Sequence, residues 1–139
     1  MDNHLPWRAL RPLLLLVWGV FALVLTTQTD QIPVVGLMVS TIGSTEWGAT
    51  LGHAGLFGTL AALAYLALTI YLPVRRALPL AMMLVLTLAT TTELYQVVVA
   101  GRSSSLPDLL ANWLGIVLVG FIIDLHSAGN LALERRDEC

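Results

Sequence analysis

Apolar residues dominate four long segments of the chain, and shorter polar connections separate them. A helix needs about 20 consecutive, mostly apolar residues to cross the hydrocarbon core of a bilayer. The segments that approach or exceed this length are Pro12–Gln28, Ala49–Leu72, Ala77–Ala100 and Pro107–His126. The pattern therefore predicts an all-α, polytopic membrane protein, folded as a four-helix transmembrane bundle in a single domain over residues 1–139.

The first segment allows two interpretations. The apolar run Leu13–Leu25 follows Arg8 and Arg11, and a signal peptide has a similar order of basic and apolar residues. The residues after it, Thr26–Thr29, offer no small-x-small cleavage site. We therefore favour a retained helix; cleavage would leave the other three spans oriented as before.

Two stretches lie outside the predicted spans. Residues 28–48 are expected to form an external loop, in which the apolar run Ile32–Val39 is too short to span and is expected to lie along the membrane interface. Residues 130–139 are expected to form a short charged tail.

Composition excludes several classes of protein. Of the 139 residues, 57% are hydrophobic and only 12% are charged, against roughly 25% charged in soluble domains. All seven basic residues are arginines, and the formal net charge of −2 argues against a nucleic-acid partner, which would require a concentrated basic face. The single cysteine, Cys139, cannot build a disulfide framework or a multi-cysteine metal site.

The arginines also predict the orientation of the bundle, because loops on the cytoplasmic side are enriched in basic residues. With the N-terminus inside, six arginines are cytoplasmic and only Arg102 is external; the six are Arg8, Arg11, Arg75, Arg76, Arg135 and Arg136. Both termini are therefore predicted to be cytoplasmic.

Polar side chains inside the spans mark the candidate site, since ionisable groups within a membrane usually face a bundle interior or a wet cavity. They are His53 in the second span, Glu93 and Gln96 in the third, Asp108 and Asn112 in the fourth, with Arg102 in the connection before it. In the predicted topology all six lie on the outer side of the membrane.

The spacing of these residues predicts which way they face. Glu93 and Gln96 are three residues apart, and Asp108, Asn112 and Gly115 follow at i, i+4 and i+7, so each set forms one stripe on its helix. Because the connection between the third and fourth spans is short, the two stripes are expected to face each other.

Small residues predict where the helices approach closely. Gly115 lets helix backbones come together, and the second span has a comparable face of small residues beside His53. That face consists of Gly48, Gly52, Gly55 and Thr59.

The start of the fourth span favours an anion. Pro107 suits a first helical turn, Ser105 is a candidate cap, and free N–H groups there would lie near Arg102. Asp108 is itself a carboxylate at this position and can satisfy both the helix dipole and Arg102 without a ligand.

These residues also form a familiar motif. The run E-x-x-Q at 93–96, G-R-S-S-S at 101–105 and D-x-x-x-N-x-x-G at 108–115, preceded by H-x-x-x-F at 53–57, resembles the VanZ-like family of small bacterial membrane proteins. The resemblance covers about residues 48–120 and implies that all six polar residues match the family's polar positions. It also implies a location in the bacterial inner membrane and a role in the cell envelope, since the family's namesake is associated with low-level teicoplanin resistance.

The sequence departs from the family pattern at one point. The family commonly has an Asp-Lys pair four and three residues before the histidine, where this chain has Ala49 and Thr50. A function that requires this pair is not implied here, although Glu46 supplies a carboxylate nearby.

Three interpretations of the polar residues remain open. The favoured one is a binding site for a lipid or glycolipid head group, such as a lipid-linked cell-wall precursor, in which Arg102 holds a phosphate or carboxylate, Gln96 and Asn112 donate neutral hydrogen bonds, and His53 and Glu93 shape the pocket. The second is an intramembrane enzyme with Glu93 or Asp108 as acid or base and His53 as its partner. The third is a structural clasp of salt bridges and hydrogen bonds with no ligand.

No cofactor is expected, and one histidine with two acids from three helices is a weak pattern for a metal site. The expected partners are membrane lipids, with a homodimer or an envelope protein as further candidates.

Overall fold

The computed structural model describes residues 5–27, 37, 40–41, 45–98 and 105–137. Within these ranges the chain forms four helices of at least 23 residues and no strand. They are α1 (Leu5–Thr27), α2 (Glu46–Leu68), α3 (Val74–Val98) and α4 (Leu106–Asp137). The predicted all-α, four-helix architecture is confirmed.

Three of the helices contain segments long and apolar enough to cross a membrane. These are Trp47–Leu68, Val74–Val98 and Leu106–Gly129, and α1 adds a shorter apolar segment of 10–17 residues, Leu10–Thr26. The chain is therefore a multi-pass membrane protein. Helix α4 continues to Asp137 through residues predicted as a tail, because this stretch is rich in good helix formers such as Leu, Ala, Glu and Arg.

The helices alternate in direction along the chain. Arg11 near the start of α1 donates a hydrogen bond of 3.5 Å to Thr69 after the end of α2, so these two helices are antiparallel. Five residues, 69–73, connect α2 to α3, and the amide of Arg76 bonds the carbonyl of Pro73 within this tight turn (2.8 Å). Helix α4 is antiparallel to α3, because Asn112 bonds Glu93 near the end of α3 while Gly120 lies against Met82 nearer its start. Consequently α2 and α4 run parallel and begin at the same end of the bundle.

Helix α2 is the centre of the bundle, since it packs against each of the other three helices and most extensively against α4. The core is apolar and built mostly from small side chains. Its buried members are Phe57, Leu60, Ala61 and Ala64 of α2, Ala81, Val85 and Ala89 of α3, and Ile116 of α4. The large exposed aliphatic side chains lie on the outside of the bundle, where they face lipid.

Gly115 brings α4 into backbone contact with α2. A Cβ at this position would lie 2.0 Å from the carbonyl oxygen of Ala54, and one at Gly58 would lie 3.0 Å from the carbonyl oxygen of Gly115. The expected close approach at Gly115 is confirmed, and its partner is α2.

The face of α2 that makes this contact differs from the predicted one. Ala54 and Gly58 pack against α4, whereas Gly52, Gly55 and Thr59 are exposed, and a Cβ at Gly55 would have no neighbour within 4 Å. Helix α2 has small residues on two faces, and the sequence pattern does not distinguish the packed one.

Candidate functional site

Four polar side chains from three helices meet at the end of the bundle where α2 and α4 begin. We call His53, Glu93, Asp108 and Asn112 the polar cluster. At about 1.5 Å per residue, three of them (His53, Glu93 and Asn112) lie roughly 7 to 11 Å from the nearer ends of their helices. They therefore share one depth, as the sequence predicted.

Asn112 is the centre of the polar cluster. It is completely buried, its Nδ2 donates to Glu93 Oε1 (3.2 Å), and its Oδ1 lies 3.2 Å from His53 Nδ1. The amide nitrogen faces Glu93 and the amide oxygen faces His53. Because an amide oxygen only accepts, His53 Nδ1 donates in this contact.

Asp108 faces the opposite side of the same imidazole. Its Oδ1 lies 3.9 Å from His53 Nε2, and each side chain is 25% exposed. This distance is too long for a direct hydrogen bond. His53 and Asp108 thus form the open part of the polar cluster, whereas Glu93, with 4% exposure, and Asn112 form its enclosed part.

Ser105 holds Asp108 in place. Its hydroxyl donates to Asp108 Oδ2 (2.5 Å) and accepts from the Asp108 amide (3.2 Å), while its carbonyl accepts from the amides of Asp108 and Leu109. The bond from the Asp108 amide to the Ser105 hydroxyl is that of a helix N-cap, and it confirms the predicted capping role of Ser105. The Asp108 and Leu109 amides at the start of α4 are therefore bonded within the chain.

Gln96 is directed away from the polar cluster. It is buried, and its Nε2 donates to the carbonyl oxygen of Thr26 at 2.8 Å. Thr26 lies in the last turn of α1, where helix carbonyls have no partner within the helix. Gln96 therefore ties α3 to the end of α1, although the sequence placed it beside Asn112 as a ligand-binding residue.

The stripe on α4 also has a different neighbour from the expected one. Asp108 and Asn112 face His53 of α2, and Gly115 contacts Ala54 of α2. Only Asn112 reaches across to α3, through Glu93. The polar cluster is therefore assembled on the parallel pair α2 and α4, with α3 contributing from one side.

Arg102 lies outside the described residues, so its predicted contact with an anion stays a prediction. Among the residues that the structure describes, no three His, Cys, Asp or Glu side chains form a group that could hold a metal ion. Of the three catalytic candidates, Glu93 is enclosed, and only His53 and Asp108 are open to a molecule outside the bundle.

Sequence reasoning missed two contacts that position the site. Trp18 Nε1 donates to the carbonyl oxygen of Leu56 (3.0 Å), which fixes α1 against α2, and the Thr26 carbonyl receives Gln96. Both acceptors are backbone atoms, which no side-chain motif reveals. Trp18 in the first apolar segment could have predicted one of them, since an indole N–H inside a bundle needs a hydrogen-bond acceptor.

Comparison with known families identifies a match. The family model described as VanZ/LLP1 matches residues 12–126, a range that contains α2, α3, most of α1 and α4, and every member of the polar cluster. No curated protein and no solved structure matches the chain.

Proposed function

This chain belongs to the VanZ/LLP1 family, and from that premise we propose that it is an accessory protein of the bacterial cell envelope that binds a lipid or glycolipid head group at the outer face of the cytoplasmic membrane. We further propose that this binding contributes to glycopeptide resistance, the envelope role implied by the resemblance to the VanZ-like family.

One observation carries the proposal: buried Asn112 holds His53 and Ser105 holds Asp108, and each of the two side chains is still 25% exposed. Ionisable side chains in membrane-spanning segments are unfavourable, usually face a bundle interior or a wet cavity, and are functional candidates by default. Interhelical polar contacts contribute on average about 0.6 kcal/mol. A purely structural clasp therefore gains little in return for these groups.

The outer-face assignment rests on the arginines. Arg8, Arg11, Arg75 and Arg76 are exposed near the start of α1 and the start of α3, at the end of the bundle opposite the polar cluster. If basic residues mark the cytoplasmic side, the polar cluster lies in the outer leaflet. A membrane-impermeant maleimide should then label Cys139 only after the cells are opened. Labelling in intact cells would show that the bundle has the opposite orientation.

Arg102 is the proposed anchor for the anionic part of the head group. It lies three residues before Ser105 in the chain, and Arg is well suited to phosphate and carboxylate because of its planar set of donors. In this proposal Asn112 positions the site through its contacts with Glu93 and His53.

Native mass spectrometry of the protein in a mild detergent tests the proposal. Wild type should retain one class of lipid, and Arg102→Ala should lose it while remaining folded. Arg76→Ala is the matched control, since Arg76 is an exposed arginine at the opposite end. Equal lipid retention in all three proteins, or none in any, contradicts the proposal and favours the structural clasp.

A further inference from the structure

Four arginines lie at the end of the bundle opposite the polar cluster, and we call them the basic patch. Arg8 and Arg11 belong to the first two turns of α1, and Arg75 and Arg76 to the first turn of α3. All four side chains are exposed. Within the described part of the chain, none of their guanidinium groups forms a salt bridge with a carboxylate, including that of Asp124, which is exposed on α4.

Arg11 connects the two parts of the basic patch. It donates its 3.5 Å hydrogen bond to the Thr69 hydroxyl oxygen, and this hydroxyl donates in turn to the carbonyl oxygen of Leu66 (2.8 Å). Thr69 is the first residue of the short connection that leads from α2 into α3. The Arg11 guanidinium is therefore held beside the helix start that contributes the other two arginines.

The stability of α3 does not explain why it begins with two arginines. The N-terminal end of a helix has a partial positive charge, so a basic side chain in the first turn is unfavourable. Helix α3 has no acidic residue in its first turn, whereas α4 has Asp108 there. Since arginine keeps its positive charge in proteins, this end of the bundle attracts anions.

The basic patch continues directly into an apolar surface. Leu13 and Leu14 follow Arg11 within one turn of α1 and are exposed, and so are Met83 and Leu84 about two turns further along α3. A charged end above exposed aliphatic side chains matches a lipid, which has an anionic head group above its acyl chains. A soluble anion would use the charges alone.

We propose that the basic patch binds the phosphate of an anionic phospholipid, with the acyl chains of the lipid along α1 and α3. The planar set of donors on arginine suits phosphate. Near an anionic membrane surface, each arginine contributes about fivefold to binding. This lipid lies at the opposite end of the bundle from the head group proposed at the polar cluster, so the two sites are independent.

Titration with added lipid tests this proposal. Exposed ion pairs are individually weak, so we expect this lipid to exchange with detergent during purification. Native mass spectrometry of the delipidated protein then compares phosphatidylglycerol, which is anionic, with phosphatidylcholine of the same acyl chains, which has no net charge. Wild type should bind phosphatidylglycerol about tenfold or more tightly. Equal binding of the two lipids overturns the proposal.

The same titration with Arg102→Ala separates the two sites. This variant lacks the anchor proposed at the other end, and it should keep the full preference for phosphatidylglycerol. If Arg102→Ala abolishes the preference, the anionic lipid belongs to the head-group site and the proposal for the basic patch is wrong.

Two variants test the two parts of the basic patch. Arg11→Gln and Arg75→Gln should each lower the preference about fivefold, and the double variant should bring it close to one. Val98→Glu is the matched control, because it changes the net charge by the same one unit as Arg75→Gln, at a position 84% exposed at the opposite end of α3. It should keep the preference. An equal loss in Val98→Glu, or no loss in either arginine variant, overturns the proposal.

Thr69→Val tests whether the basic patch is a defined site. It keeps every charge and removes the oxygen that accepts from Arg11. The preference should fall about twofold or more, while Thr91→Val, which changes an exposed threonine of α3, should keep it. An unchanged preference in Thr69→Val indicates diffuse attraction and contradicts a defined site.

Soluble glycerol phosphate separates the lipid from a free phosphate. It has the same phosphate without acyl chains, so it should not displace phosphatidylglycerol at equal concentration. Displacement at equal concentration would show that the basic patch binds a soluble phosphate and would overturn the assignment of a lipid.

Discussion

Along the seam between α2 and α4, the first turns are joined through polar side chains, whereas the turns that follow are joined through backbone. In the first region Asn112 lies 3.2 Å from His53 and the open pair of His53 and Asp108 faces outward. In the second, Gly115 leaves no room for a side chain against Ala54. The same two helices thus carry a partly open site and a tight contact within about one turn.

The two regions have different roles, but both depend on the distance between α2 and α4. Asn112 and Gly115 are three residues apart and share a face of α4, so the separation of α2 and α4 at Gly115 also sets the reach of the Asn112 amide. The tight contact therefore stabilises the bundle and at the same time positions the polar cluster. Substitutions in each region should separate these two effects.

Gly115→Ala should have the largest effect. The added Cβ would lie 2.0 Å from the Ala54 carbonyl oxygen, so the helices must move apart along the whole seam. We expect a loss of about 2 kcal/mol or more in the free energy of unfolding, in the upper range for overpacking, together with loss of lipid retention. Reversible unfolding in mixed micelles with SDS measures the first, and native mass spectrometry the second.

Gly55→Ala is the control for this prediction. It adds the same Cβ to α2 at a position with nothing within 4 Å. Because Ala is the better helix former, this change should be neutral or stabilising by up to about 1 kcal/mol. Similar stability of Gly115→Ala and Gly55→Ala would show that the close contact at Gly115 does not determine the stability of the bundle.

The two glycines also show which features of the fold can be predicted from the sequence. Length and hydropathy were enough to predict the helices, and their directions placed His53, Glu93, Asp108 and Asn112 at one depth. Glycine spacing predicted that Gly115 lies at a close contact. It did not predict the partner, because Gly52 and Gly55 on one face of α2 and Ala54 and Gly58 on another are equally small.

The facing of the polar residues was predictable only in part, for a similar reason. An i, i+4, i+7 stripe fixes which residues share a face of α4 but not which neighbour receives that face. The short connection between α3 and α4 favoured contact between those two helices, whereas the most extensive packing is between the parallel pair α2 and α4. Gln96 was misplaced because its acceptor, the Thr26 carbonyl, is a backbone atom.

Asn112→Leu should distinguish the effect of the polar region from that of the backbone contact, because it removes the buried amide and keeps a side chain of similar size. Glu93 and His53 lose the hydrogen bonds that they make with this residue. We expect a loss of about 1–2 kcal/mol in unfolding free energy and loss of the retained lipid in native mass spectrometry, since the His53 side chain then has no Asn112 amide to hold it.

Thr91→Val is the control for the loss of a hydrogen bond within the membrane. Among the described residues, the exposed Thr91 hydroxyl bonds only the Thr87 carbonyl of its own helix, so its removal should change stability by less than about 0.5 kcal/mol. If Asn112→Leu retains lipid as wild type does, the amide does not position the imidazole.

Gln96→Leu should have the smallest effect and should leave both regions of the seam intact. Among the described residues its buried amide bonds only α1, through Thr26, and Trp18 continues to hold α1 against α2 through the Leu56 carbonyl. We expect a loss of about 0.5–1 kcal/mol, as for interhelical hydrogen bonds in other membrane proteins, with unchanged lipid retention. Hydrogen exchange of the α1 backbone amides should accelerate near Thr26 alone. A loss of lipid retention in this variant would instead make Gln96 part of the binding site, as the sequence pattern first indicated.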